Sequence, residues 1–100
     1  MSTILTWISD WVRSQCNGDW EHMYGINIGI SDNSGWHVTI DLAETNLENL
    51  EMVIQEDKTE DDWYFVKVKN KEYFAAGDLT KLELLLEKFK ELVEMHPDNI

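Results

Sequence analysis

The stretch YGINIGISDNSGWHVTIDL, residues 24–42, decides the fold because the chain changes period there. Tyr24, Ile26, Ile28 and Ile30 alternate with Gly25, Asn27, Gly29 and Ser31, and Trp36, Val38, Ile40 and Leu42 alternate with His37, Thr39 and Asp41. A side chain that is apolar at every second position belongs to a strand with one face on a core. The stretch therefore predicts two strands. Directly opposed residues share a face, so matching the two apolar sets requires a loop with an odd number of residues. A three-residue loop, Asn33-Ser34-Gly35, meets this condition, with Gly35 in the left-handed position of such hairpins. The predicted register then sets Ile30 opposite Val38 and Ile28 opposite Ile40.

Working outward, the preceding segment is helical. Ile4, Trp7, Ile8, Trp11 and Val12 recur at helical spacing, predicting an amphipathic helix from about Thr3 to Gln15 that Asn17-Gly18 ends. Downstream, Leu50 to Glu56 reads as a weaker third strand after an irregular connection, Ala43 to Asn49, and Asp57 to Asp62 as a polar acidic turn. Trp63 to Lys69 and Glu72 to Ala76 form a second hairpin around Asn70-Lys71. Its register puts Tyr64, Val66, Val68, Tyr73 and Ala75 on one face and Trp63, Phe65 and Phe74 on the other, with Lys67, Lys69 and Glu72. Alternation alone leaves open which face the helices cover. Gly77-Asp78 leads into a last helix, capped by Asp78 or by Thr80, the latter in a capping box with Glu83. Leu82, Leu85, Leu86, Phe89, Leu92 and Val93 form its buried stripe, and Pro97 stops it. The fold class is α+β: an N-terminal helix, an antiparallel sheet of about four to five strands in hairpins, and a C-terminal helix. Both helices pack on one sheet face, in a single domain over residues 1–100.

Composition narrows the function. The chain has 20 acidic against 8 basic side chains, a formal net charge of −12, and 43% hydrophobic residues with five tryptophans. That is enough apolar matter for a core, and a field that repels phosphate backbones and anionic lipid. No nucleic acid and no membrane is expected as a partner; a basic protein is, because the field would accelerate its encounter. No run of about 18 apolar residues occurs, and the first residues lack a basic leader followed by an apolar segment. With a single cysteine and no internal disulfide, the expected compartment is the cytoplasm. The expected state is a monomer or weak dimer.

QCNGDWEH, residues 15–22, gathers reactive side chains. Cys16 as nucleophile with His22 as base would make a cysteine enzyme, and Cys16, Asp19 and His22 would supply three metal ligands. Cysteine hydrolases draw their histidine from a distant part of the chain, and a structural zinc site wants four ligands. The structural alternative is more economical. Cys16 packs as a small hydrophobe at the helix end, Gly18 permits a turn, and Asp19 accepts backbone N–H groups. Trp20 anchors the loop in the core, while Glu21 and His22 pair with each other or with the backbone. No catalytic residue, metal or cofactor is expected. Candidate recognition residues are instead the acids Asp57, Glu60, Asp61 and Asp62, beside Trp63 as an aromatic anchor. Such a surface would imitate a phosphate backbone for a basic enzyme.

QCNGDWEHMYGINIGISDNSGWHVTIDL, residues 15–42, resembles the immunity protein 53 family, found beside toxin genes in bacterial polymorphic toxin systems. WYFVKVKNKEYFAAGDLTKLELLLEKF, residues 63–89, is similar to the same family's pattern of two strands and a helix opened by Gly-Asp. The resemblance runs from about Ile4 to Phe89. Ser34 departs from it, standing where the family turn reads Asp-Asn-Pro-Gly. The resemblance implies a non-enzymatic inhibitor that binds and silences a cognate toxin, with a basic nuclease as the expected target. Cys16, Asn17, Gly18, Asp19, Trp20, Glu21, His22 and Trp36 carry the match as structural or recognition residues.

Overall fold

The computed structural model describes residues 3–30 and 35–96. Helix α1, Thr3–Gln15, is followed by a one-turn helix α2, Trp20–Met23, where the sequence had predicted only a loop. Strands β1, Ile26–Ile30, and β2, Trp36–Asp41, form the first hairpin; β3, Met52–Thr59, β4, Asp62–Lys69, and β5, Glu72–Gly77, form a meander. Helix α3, Leu82–Met95, closes the chain. Among the described residues no helix is long and apolar enough to cross a membrane.

The five strands make one antiparallel sheet in the order β1-β2-β5-β4-β3. The hairpin and the meander therefore join through β2 and β5, with Trp36 opposite Gly77 and Ile40 opposite Tyr73. Val38, Ile40, Val66, Val68, Tyr73 and Ala75 are buried on one face, against Leu85, Leu86 and Phe89 of α3. Ile4 and Trp11 of α1 join the same core. Each large apolar side chain so buried contributes about 1.5–3 kcal/mol relative to exposure. Tyr73 keeps its hydroxyl satisfied inside this core by donating to the Leu85 carbonyl at 2.7 Å. Among the described residues the opposite face carries no helix, which resolves the choice of faces: Trp63, Phe65 and Phe74 stand on the open side.

Several expectations are corrected. The β1–β2 register pairs Ile30 with Trp36 and Ile28 with Val38, two residues away from the prediction. A five-residue connection is odd like a three-residue one, so parity cannot separate them. Asn33 and Ser34 lie outside the described residues. Glycine is required at 35 by close packing: a Cβ there would sit 2.6 Å from the Gly77 carbonyl and 3.2 Å from the Trp63 ring. Ile28 and Ile30, although on the core side, are exposed, because β1 is an edge strand beyond the helices' reach. The third strand begins at Met52 and runs to Thr59, so Asp57 and Thr59 belong to the ladder, the register shifts at Lys58 between them, and the acidic turn shrinks to Glu60-Asp61. No capping box forms on α3. An extra turn delays the helix to Leu82, Lys81 takes the cap position without a side-chain bond, and the Thr80 hydroxyl donates to Asp78 instead. Pro97 lies outside the described residues.

Candidate functional site

Three surfaces carry the residues singled out from the sequence. The register sets two of them at diagonally opposite corners of the sheet. The loop from Cys16 to His22 leads into the start of β1, in the row Ile26, Ile40, Tyr73, Val68, Met52. The acidic hairpin tip lies at the other edge and the other strand end, beyond the row Ile30, Trp36, Gly77, Tyr64, Glu56. Trp36 belongs to that second row, and its indole N–H donates to the Leu79 carbonyl at 3.1 Å. The fold thus parts Trp36 from the rest of its motif.

The loop is built by side chains that answer backbone donors. Asn17 Oδ1 accepts from the backbone N–H of Asp19 and Trp20, both at 3.0 Å, which starts α2. The Glu21 carboxylate accepts the N–H of Asn17 at 3.0 Å and of Gly18 at 2.9 Å. Backbone N–H donors, its own first and then those of Asn17 and Gly18, hold the Glu21 carboxyl below its ordinary pKa. Gly18 sits at φ +97°, which L side chains rarely adopt. Trp20 is buried, donates its indole N–H to the Ala43 carbonyl at 3.0 Å, and meets Trp11 edge-on at 5.9 Å. Asp19 therefore lacks the role expected of it: its side chain makes no capping bond, and Asn17 does that work two residues earlier. Cys16 is exposed rather than packed, with its thiol donating to the Val12 carbonyl at 3.3 Å. His22 is exposed as well. Among the described residues no three His, Cys, Asp or Glu side chains are placed to hold a metal ion.

At the opposite corner, Glu60 and Asp61 project from the β3–β4 turn, which Thr59 closes by accepting the Asp61 N–H at 3.2 Å. Asp57 stands opposite Trp63 on the open face. Asp62 is not a free charge: it binds the Lys81 ammonium at 2.9 Å. Lys81 also binds Asp78 at 2.8 Å, and the two carboxylates, Asp78 first, hold its pKa above the usual lysine value. Asp78 is buried and receives the Trp63 N–H at 2.9 Å and the Thr80 N–H at 2.8 Å. Burial pushes its carboxyl up, but donors from Lys81, Thr80 and the Trp63 backbone outweigh this and hold it far below the usual carboxylate range. The network fixes the backbone of Trp63 to the turn before α3. Sequence reading missed it. The available signal was the i,i+3 spacing of Asp78 and Lys81; nothing local connects Asp62, 19 residues before Lys81, to them.

The third surface is the open sheet face. Phe65 and Phe74 lie on adjacent strands with ring centroids 5.6 Å apart. Across the sheet, one row reads Gly29, His37, Ala76, Phe65, Gln55, and the next Asn27, Thr39, Phe74, Lys67, Val53. Val53 is 68% exposed. An apolar centre with polar neighbours is the anatomy of a protein-recognition surface.

The family described as Immunity protein 53 matches the chain over residues 5–94. No curated protein and no solved structure matches it.

Proposed function

The chain belongs to the Immunity protein 53 family, which carries a toxin-neutralising role and a toxin protein as partner, and on that premise we propose that it occludes a basic, nuclease-type bacterial toxin in a one-to-one complex. The reading is non-enzymatic and cytoplasmic. Asp57, Glu60 and Asp61 supply the steering charge at one end of the sheet, with Asp62 contributing the part of its charge that Lys81 leaves. Trp63 is the anchor beside them. The observation that carries the reading is the attachment of that tryptophan: its backbone is held by buried Asp78, so little order has to be gained on binding. The loop from Cys16 to His22 serves the fold first, since its polar groups are already spent on its own backbone.

Calorimetry of the purified protein with the toxin domain encoded beside its gene, at two salt concentrations, tests the proposal. Tight one-to-one binding that weakens with salt is expected, and Trp63→Ala should lower affinity while the protein stays folded. No binding at low salt would sink the assignment to that toxin. Unchanged affinity of Trp63→Ala would remove the residue from the interface.

A further inference from the structure

The two edges of the sheet differ in kind. The β3 edge carries Glu56, Asp57 and Lys58, and its register shifts between Asp57 and Thr59. Charge and irregularity of that sort keep an edge from pairing with another chain. The β1 edge, Ile26–Ile30, is regular and reads INIGI. Among the described strands it alone holds no ionisable side chain, in a protein of net charge −12. One bond fixes its backbone phase. Asp41 donates its N–H to the Gly25 carbonyl at 3.0 Å, next to the Ile26–Ile40 pair. Ladder bonds recur at every second residue, so Asn27 and Gly29 turn their N–H and C=O toward β2, and Ile26, Ile28 and Ile30 turn theirs outward. Among the described residues nothing pairs with those outward groups. Ile28 and Ile30 are 45% and 53% exposed on the helix side of the sheet.

We infer that β1 pairs antiparallel with β1 of a second copy, about a two-fold axis through Ile28 and perpendicular to the sheet, and so joins two sheets into one. The strand's own sequence argues for this occupant. With Ile28 opposite its counterpart, Ile26 meets Ile30 and Asn27 meets Gly29. Each isoleucine then has an isoleucine beside it on the same face, each outward N–H has a C=O to reach, and no charge opposes its like. A slip of one residue breaks the hydrogen-bond phase, and a slip of two leaves an isoleucine without its match. The helices stop short of β1, which leaves room for Ile28 and Ile30 of both copies to pack together. The acidic tip lies at the opposite edge, so pairing at β1 leaves it free. Five residues a side is well below the roughly 20–30 of a standard interface, so the dimer is weak and forms on the order of 0.1–1 mM.

Sedimentation equilibrium from about 10 µM to about 1 mM protein, at about 50 and about 500 mM salt, tests the inference. A reversible dimer is expected, tighter at the higher salt, because copies at −12 repel and salt screens the repulsion. Ile28→Lys sets two like charges at the axis and should weaken the dimer at least about tenfold, although it reduces the net charge that holds copies apart. Val53→Lys adds the same charge at the other edge, where Val53 is 68% exposed, and should leave the dimer no weaker. Thermal melts establish that both variants are folded; Ile30→Lys replaces Ile28→Lys if that one is not. A wild type that stays monomeric throughout, a dimer that loosens with salt, or one that Ile28→Lys leaves intact overturns the inference and leaves the immunity reading standing. Calorimetry with the toxin domain encoded beside the gene is the second readout, and Ile28→Lys should bind it as wild type does. Weakened binding by Ile28→Lys beside a monomeric wild type would give β1 to a strand of the toxin and overturn the pairing of copies. Absence of toxin binding by a wild type that does dimerise would overturn the immunity reading alone.

Discussion

Asp78 shows how one side chain can organise a corner of the molecule. Its carboxylate gathers N–H donors from Trp63 and Thr80, the Thr80 hydroxyl and the Lys81 ammonium, and so connects β4, the end of β5 and the start of α3. Replacing it by asparagine removes the charge while preserving the shape, and leaves Lys81 with Asp62 alone. Charge-assisted hydrogen bonds contribute about 1.5–3 kcal/mol each, and with partial compensation Asp78→Asn should cost about 2 kcal/mol by urea denaturation at neutral pH. The pH dependence has a definite sign. The folded pKa lies far below the unfolded value of about 3.9, so the contribution is complete above that pH and is lost as pH falls below it. Wild type should lose stability steeply under acid, and Asp78→Asn less steeply. Parallel acid profiles would show that other carboxylates govern the loss.

Among the elements, the β4–β5 turn combines right placement with an unfavourable residue. Asn70 and Lys71 have φ of 55° and 65°, the pair of positive angles of a type I′ turn. Asparagine tolerates the first; lysine at the second is strained. Lys71 also pairs with Glu48 at 3.6 Å, but both groups are solvent-accessible and such a pair contributes little. Lys71→Gly should therefore stabilise the protein by about 0.5–1 kcal/mol, read as a higher urea midpoint with unchanged slope. A lower midpoint would mean that the Glu48 contact outweighs the backbone strain. The same turn sets Val68 opposite Tyr73, and so keeps the aromatic pair Phe65 and Phe74 together on the far face.

At the scale of the whole molecule, charge works against folding and in favour of encounter. A net charge of −12 on 100 residues repels itself in the compact state. Raising ionic strength from about 10 to about 150 mM shortens the screening length from roughly 30 to roughly 8 Å. The melting temperature should rise by a few degrees over that range, while association with a basic toxin slows. A falling melting temperature would place the dominant electrostatic term in favourable pairs such as Lys81 with Asp78.

What the sequence determined by itself is everything set by local period and turn chemistry. The alternation from Tyr24 to Leu42 defined the first hairpin, the spacing of Ile4, Trp7, Ile8 and Trp11 defined α1 to its observed bounds, and Asn70-Lys71 set the register of the second hairpin. Only the tertiary structure decided that β2 lies beside β5, that the helices cover the Val66 face, and that Asp78, Lys81 and Asp62 converge. Alternation is symmetric between faces and blind to any two-residue shift, so the register of β1 on β2 was also beyond it. Asn17 and Asp19 are equally good caps by composition, and the path of the chain chose Asn17. Contacts between residues distant along the chain depend on which surfaces are left to be buried once the local elements exist, and no spacing within a single element records that.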